Sequence, residues 1–178
     1  MGAMKTRPAS ADDVEAIANL HADSWRRNYR GAYLDSYLDG DVVPERIAVW
    51  TERIVRPVVS SATIVAEHEH AVVGFVHTVF EEDPRWGALL DNLHVTHAMK
   101  GRGVGTVLTA ESARVVLERD PPTGLYLWVL EQNTPAQAFY RARGGIESGR
   151  ELRGPFPGGG TAYALRMAWP DPATLLPR

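Results

Sequence analysis

The most informative segment of the chain is NLHVTHAMKGRGVGTVL, residues 92–108. Its apolar start is typical of a buried strand, Gly101, Gly103 and Gly105 predict a tight turn, and the apolar residues that follow recur at helical spacing. A glycine-rich turn between a strand and a helix lets backbone N–H groups close on a phosphate, and the positive end of the helix dipole adds to the attraction. The stretch therefore predicts a loop that binds a pyrophosphate-bearing ligand.

Two common nucleotide-binding loops do not match this turn. No Gly-Lys-Ser/Thr follows at the spacing of a Walker loop, and Thr106 and Leu108 occupy the positions where a dinucleotide-binding loop has its third glycine. ATP and NAD are therefore disfavoured as ligands.

A second motif follows the next apolar strand, LYLWVL at residues 125–130. Thr134 and Pro135 predict the N-cap and first turn of a helix. Helical spacing then places Ala136, Phe139 and Tyr140 on one stripe of that helix.

Together the two segments resemble motif A and the Asn-x-x-Ala-x-x-Phe-Tyr motif of the GNAT N-acetyltransferase superfamily. Lys100 stands where that family has Gln or Arg, and Asn133 opens the second motif. The sequence departs from the usual pattern at His97, where Pro is common, and at Gly145, where Phe is common. Two motifs in the right order are more specific than either alone.

The resemblance implies an α/β (α+β) fold with a central, mixed, mostly antiparallel twisted sheet of six to seven strands, flanked by about four helices. The length of 178 residues agrees with a single domain over residues 1–178. Residues 1–3 are interpreted as a cloning remnant before a second start at Met4, and residues 170–178 as a C-terminal tail.

The first half of the chain has weaker but consistent patterns. A capping box at Ser10 and Asp13 predicts a helix that buries one face, and another helix is expected between Pro44 and Pro57. Residues 62–82 read as two strands around a polar turn. The residues on the buried face of the first helix recur at helical spacing: Val14, Ile17, His21 and Trp25.

Composition narrows the classes of partner. Nineteen Lys and Arg against 22 Asp and Glu give a net charge of −3, which disfavours a nucleic-acid surface. The absence of Cys rules out disulfides, thiolate zinc sites and a cysteine nucleophile. The pairs His68/His70 and His94/His97 lack a third ligand nearby, so no metal is expected.

The sequence predicts no membrane partner. No apolar run is long enough to span a bilayer, and the N-terminus lacks the apolar core of a signal peptide, so we expect a cytoplasmic protein. Met1, Gly2 and Thr6 fit a loose myristoylation pattern that arises often by chance.

The resemblance implies that acetyl-CoA is the cosubstrate. Backbone amides from Arg102 to Thr106 would bind its pyrophosphate, and residues 93–95 would pair with the pantetheine amides. An N–H near Leu93 would hold the oxyanion that forms on the thioester. The expected cofactor-binding residues are Leu93, His94, Val95, Lys100, Gly101, Arg102, Gly103, Val104, Gly105, Thr106, Asn133, Ala136, Phe139 and Tyr140.

A protonated amine must lose a proton before it can attack the thioester. Strand alternation predicts that Asp91 shares a face with Leu93 and Val95, and family members carry proton-accepting side chains on that face. Asp91 is therefore the candidate base, and its alternative role is a structural carboxylate. His94 is expected on the opposite face, packed beneath a helix.

The resemblance makes Tyr140 the general acid that protonates the departing CoA thiolate. The alternative is a core tyrosine whose hydroxyl has a protein partner.

Aromatic and acidic residues suggest an acceptor site that favours a cation. Tyr29, Tyr33 and Tyr37 are its candidate walls, and acidic residues surround Tyr37, whereas Trp25 is in phase with the buried helix face. The loop at residues 154–160 and the acidic residues 81–83 either border this site or are ordinary loops.

Two functions follow from these patterns. One is direct transfer of an acetyl group to a small-molecule or peptide primary amine in a ternary complex, by general base and general acid chemistry. The other is a non-catalytic acyl-CoA-binding or regulatory module of the same fold. Dimerisation through the two closing strands is a further expectation.

Overall fold

The computed structural model describes residues 4–57, 59–119 and 122–177. The interpretation of residues 1–3 as a cloning remnant concerns residues outside these ranges. The strands of the described chain are β1 Lys5–Pro8, β2 Ser61–His68, β3 Ala71–Asp83, β4 Gly87–Val95, β5 Leu125–Leu130, β6 Ile146–Arg153 and β7 Ala162–Trp169. Its α-helices are α1 Val14–Asn28, α2 Asp35–Leu38, α3 Val42–Val55, α4 Val104–Leu117 and α5 Thr134–Arg141.

The strands form one mixed sheet in the order β1-β2-β3-β4-β5-β7-β6. Neighbours are antiparallel except β4 and β5, which are parallel and are joined through the crossover helix α4. The β2–β3 hairpin turns at Glu69 and His70, whose φ angles of 50° and 66° suit a tight turn between twisted strands. The predicted mixed, mostly antiparallel sheet is confirmed.

Helices cover both faces of the sheet. Helix α4 packs on one face, where the Thr78 and Ser112 hydroxyls are hydrogen-bonded at 2.7 Å. Helices α1 and α3 cover the other face, where Trp50 and Phe75 are fully buried with ring centroids 5.0 Å apart. None of the helices in the described ranges is long and apolar enough to cross a membrane.

The first helix has the predicted start and buried face. Arg7 donates to both carboxylate oxygens of Asp13, at 2.7 and 2.9 Å, and the same carboxylate accepts the N–H of Ser10 at 2.8 Å. The four predicted apolar-face residues of α1 are all buried. Helix α3 starts two residues before Pro44, which fits because proline is tolerated in a first turn.

A β-bulge lies in the middle of β4. Asn92 pairs with His77 and Leu90 pairs with Thr78, so Asp91 is an extra residue without a partner on β3. The bulge reverses the alternation of side chains along the strand.

Because of this bulge, the prediction that Asp91 shares a face with Leu93 and Val95 is wrong. Leu93 and Val95 pack toward the α4 side of the sheet. Asp91 instead turns toward α1 and α3, the side on which His94 lies. Asp91 and His94 therefore belong to one face, and His94 is packed beneath α1 as expected.

Candidate active site

A cavity of about 800 Å³ opens where β4 and β5 separate. The two strands pair only at Ala88–Leu125 and Leu89–Tyr126 among the described residues. Beyond these pairs both strands line the cavity, together with α1, α3, α5 and the loop before α4. Their divergence creates a cleft at the C-terminal ends of two parallel strands.

Most of the predicted cofactor residues meet in this cavity. Those that line it are Leu93, His94, Val95, Lys100, Gly101, Gly103, Gly105, Thr106, Asn133, Ala136, Phe139 and Tyr140. Arg102 and Val104 do not line it, and the Val104 side chain is buried in the core beneath α4.

The glycine-rich loop has a conformation that requires glycine. Gly101 and Gly103 have φ angles of +75° and +83°, and Gly103 caps the start of α4. In the part of the chain that the structure describes, no heavy atom beyond the adjoining residues lies within 4 Å of a Cβ placed at either position, so the space over the loop is open. At Gly105 a Cβ would come within 3.2 Å of the Phe139 ring, so glycine there permits close packing of α4 and α5.

Arg143 is a cavity residue that the sequence analysis missed. It follows α5, donates to the Thr106 hydroxyl and stacks on Phe139 with its guanidinium carbon 3.7 Å from the ring centroid. Its Nε is buried without a hydrogen-bond partner among the described residues. Together with Lys100, it makes the glycine-loop end of the cavity positive.

Helix α5 presents Tyr140 to the cavity. The cap of this helix is Asn133 rather than the predicted Thr134, because the Asn133 side chain accepts the N–H of Ala136 at 3.3 Å. Tyr140 is buried, and within the described chain no hydrogen bond joins its hydroxyl to the protein. Burial, reinforced by the nearby Tyr29, raises the pKa of Tyr140 well above its usual value, so the hydroxyl keeps its proton at neutral pH.

Asp91 is held by an arginine that the sequence analysis did not single out. Arg53 of α3 contacts its carboxylate at 2.8 Å, and the Asn92 side-chain amide donates to it at 2.6 Å. Both Asp91 and Arg53 line the cavity and remain about one-third exposed, with side-chain values of 30% and 33%. The Arg53 ion pair fixes the position of Asp91 without closing it off.

Two buried, neutral histidines, His94 and His21, lie on the same side of the sheet as Asp91. Nδ1 of His94 is 2.8 Å from the Ser24 hydroxyl, and burial lowers the pKa of His94 to about 4. His21 accepts the Trp50 indole N–H at 3.0 Å through Nδ1, which leaves its proton on Nε2. Burial also lowers the pKa of His21 far below its usual value.

The opposite end of the cavity has aromatic walls. Tyr29 and Tyr33 line it, and Phe156 stacks on Tyr33 with ring centroids 4.7 Å apart. Pro157 lines it too, so the loop at residues 154–160 borders the cavity, whereas residues 81–83 do not line it. Tyr37, the third predicted wall residue, does not line the cavity. Its hydroxyl instead donates to Glu45 at 2.5 Å.

Burial keeps the cavity tyrosines protonated. It raises the pKa of Tyr29 to about 12, with the Asp91 charge adding to the effect, and it raises the pKa of Tyr33 further. Both hydroxyls can therefore donate hydrogen bonds at neutral pH. Across the described ranges, no group of three or more His, Cys, Asp or Glu side chains is placed to hold a metal ion.

Comparisons with known proteins agree with this geometry. Residues 15–144 match the model of the acetyltransferase (GNAT) family. An uncharacterized N-acetyltransferase, YuaI of Bacillus subtilis, is 27% identical over 138 residues, which cover 76% of each chain.

Two solved structures have the same fold. The PaiA N-acetyltransferase of Thermoplasma acidophilum, in complex with coenzyme A, aligns with a TM-score of 0.70 at 16% identity, over 94% of this chain and 99% of that one. A ribosomal-protein-alanine N-acetyltransferase of Brucella melitensis aligns with a TM-score of 0.70 at 23% identity, over 93% and 98%. The chain therefore belongs to the GNAT family and is an acyltransferase.

Proposed function

We propose that this enzyme transfers an acetyl group directly from acetyl-CoA to a primary amine on a small molecule or peptide. The observation that carries the proposal is one continuous cavity that extends from the glycine-rich loop to Tyr29 and Tyr33, past Asp91 and Tyr140. Both substrates can occupy one space, so no acetylated enzyme intermediate is needed.

The residues at the loop end fit a CoA pyrophosphate. The open space over Gly101 and Gly103 leaves room for phosphate oxygens, and the backbone amides of residues 102–106 supply donors at the N-terminus of α4. Lys100 and Arg143 add positive charge. In this arrangement Arg102 and Val104 contribute through their backbones alone.

The strand end fits the pantetheine arm and the thioester. Beyond Leu89, β4 has no ladder with β5 in the described chain, so Leu93–Val95 can pair with the pantetheine amides. A backbone N–H near Leu93 would stabilise the negative charge that develops on the thioester oxygen. His94, Asn133, Ala136 and Phe139 would complete the walls.

Two protons must leave the acceptor nitrogen and one must reach the sulfur. Asp91 takes the first proton from the ammonium group of the acceptor, directly or through water, so that the amine nitrogen can attack the thioester carbon. The C–S bond breaks as the tetrahedral intermediate collapses, Tyr140 donates its proton to the departing thiolate, and the second proton of the nitrogen returns to Tyr140, directly or through water. The Arg53 ion pair keeps Asp91 beside the reacting amine.

Tyr29 and Tyr33 form the acceptor wall in this proposal. Tyr37 contributes from outside the cavity, because its hydrogen bond to Glu45 links α2 to α3.

The first experiment measures binding and turnover together. Acetyl-CoA and CoA should raise the melting temperature, whereas ATP and NADH should not, because a ligand that binds only the folded state stabilises it. Amine-dependent release of free CoA thiol would then establish transfer. A stability shift without thiol release for any amine would indicate the non-catalytic alternative.

Two variants test the roles of the acid and the base. Tyr140→Phe and Asp91→Asn should keep the acetyl-CoA stability shift and lose roughly 10²- to 10⁴-fold in kcat, the usual contribution of a positioned acid or base. Tyr163→Phe is the matched control, because Tyr163 is 44% exposed and does not line the cavity. Full activity in both Tyr140→Phe and Asp91→Asn would refute the assignments.

A further inference from the structure

A buried arginine lies in the acceptor end of the cavity. Arg46 of α3 is only 7% exposed, lines the cavity, and places its guanidinium carbon 4.4 Å from the Trp25 ring centroid. Its NH2 group donates to Glu45 at 2.8 Å, and its Nε is buried with no partner among the described residues. The buried Nε–H of Arg46 therefore lacks a protein acceptor in that part of the chain.

The charges around Arg46 do not balance inside the cavity. The side chains lining this end that are charged at neutral pH are Arg46, Arg53 and Asp91, and Arg53 pairs with Asp91. Glu45 lies outside the lining, is 41% exposed at its side chain, and also accepts the Tyr37 hydroxyl. A guanidinium that is buried with so little negative charge beside it in the cavity favours an anionic ligand group.

Acidic residues near the aromatic wall do not offset this charge. Asp35 and Asp39 pair with Arg30, at 3.0 and 2.5 Å, with side chains 71% and 61% exposed. Neither they nor Asp41 line the cavity. The acidic cluster that suggested a purely cationic acceptor therefore faces away from it.

We propose that Arg46 binds a carboxylate of the acceptor, so that the substrate class is an amine that also bears a carboxylate, such as an amino acid or a peptide with a free C-terminus. This inference rests on the proposed acetyl transfer. The amine end would lie at Asp91, and the carboxylate would accept hydrogen bonds from the Arg46 guanidinium, a pairing whose planar geometry suits both groups.

The spacing on α3 guides the choice of probes. Arg46 and Arg53 are two helical turns apart, about 10 Å along the axis, so the carboxylate site is separated from the Asp91 ion pair. The panel should therefore vary the distance between amine and carboxylate. Glycine, β-alanine, γ-aminobutyrate and glycylglycine are suitable, each paired with its C-terminal amide, and spermidine represents a cation without a carboxylate.

The test compares kcat/KM for thiol release within each acid–amide pair. In the unaltered enzyme, at least one acid should exceed its amide by about 10- to 100-fold, the range expected for hydrogen bonds to a charged group. Arg46→Met should remove this preference by slowing the acid more than the amide, so that kcat/KM for the two differs by less than about three-fold. Arg46→Lys should retain part of it, because it keeps the charge and loses the planar fork.

Arg56→Gln is the matched control. Arg56 follows the same helix, its side chain is 69% exposed, and it pairs with Glu52 outside the cavity. This variant should keep the acid preference of the unaltered enzyme. The acid–amide comparison in the unaltered enzyme does not depend on any variant folding.

Failure of the inference and failure of the proposed function give different results. Equal turnover of acids and amides, or preference for spermidine, would overturn the carboxylate site while leaving acetyl transfer intact. An acid preference that survives Arg46→Met would also overturn it. Absence of an acetyl-CoA stability shift, or of thiol release with every amine, would refute the proposed function itself.

Discussion

Three buried histidines make the stability of this enzyme depend on pH above the range where carboxylates titrate. His21, His77 and His94 are 1%, 1% and 8% exposed. The pKa of His77 and that of His94 are both lowered from 6.5 to about 4, mainly by burial. Arg53 contributes to the shift of His77 and Lys100 to that of His94, whereas Asp91 opposes both. The pKa of His21 moves in the same direction.

The sign of the effect follows from where the protons bind. The unfolded chain binds protons on these histidines below about pH 6.5, whereas the folded protein keeps them neutral down to about pH 4. The contribution of these histidines to the free energy of unfolding is therefore fully present above pH 6.5 and falls as the pH is lowered toward 4. Between pH 7 and pH 5, each of His77 and His94 costs about 2 kcal/mol, or about 4 kcal/mol together, which is a large part of the stability of a typical domain.

Urea unfolding at a series of pH values between 5 and 7.5 measures this dependence. Asn replacements suit the test because each histidine uses Nδ1, His77 toward Thr63 and His94 toward Ser24, both at 2.8 Å. His77→Asn and His94→Asn should each reduce the loss of stability between pH 7 and pH 5 by about 2 kcal/mol, whatever they do to stability at pH 7. His70→Asn, at the exposed β2–β3 turn, is the control and should keep the full loss. Equal stability of the unaltered enzyme at pH 7 and pH 5, or an unchanged loss in both buried variants, would refute the reasoning.

Three further substitutions test the loop, the core and the ion pair. Gly103→Ala should cost about 1–2 kcal/mol, because φ is +83°, and should weaken the acetyl-CoA-induced shift in melting temperature; an unchanged shift would show that the loop conformation is dispensable. Trp50→Phe should cost about 1–3 kcal/mol by urea unfolding, since it leaves Nδ1 of His21 buried without its donor; a neutral result would contradict that cost. Arg53→Gln should lower kcat and leave the KM for acetyl-CoA nearly unchanged, and loss of acetyl-CoA binding instead would argue against a positioning role for Arg53.

The glycine-loop end of the cavity could be predicted because the residues that form it are contiguous in the sequence. A strand, a glycine-rich turn and a helix lie within residues 92–108, and the glycines are dictated by local backbone angles. The same holds for α5, where the cap and the stripe that faces the cavity follow from residue type and helical period. Even there the cap fell one residue earlier than predicted, since Asn133 and Thr134 both have capping side chains.

The bulge at Asp91 could not be predicted from the strand pattern. Alternation assigns faces by counting residues, and one extra residue reverses every assignment on one side of it. No glycine or proline marks the site, and both Asp91 and Asn92 are compatible with regular strand. The pairing of β4 with β3 determines the face on which Asp91 lies. The bulge is therefore recognised only from the structure, in which His77 pairs with Asn92 and Thr78 with Leu90.

The acceptor end is assembled from side chains on separate elements, and this explains why it is the least predictable part of the site. No motif in the sequence marks Arg46 or Arg53, and only the packing of α3 against α1 brings them to the cavity. In the proposed function the glycine-loop end binds acetyl-CoA largely through backbone amides, which substitutions elsewhere leave in place. A change at Arg46 should therefore alter which amine is acetylated without altering the acetyl-CoA stability shift, and such separability would let one fold acquire different acceptors while keeping its cosubstrate.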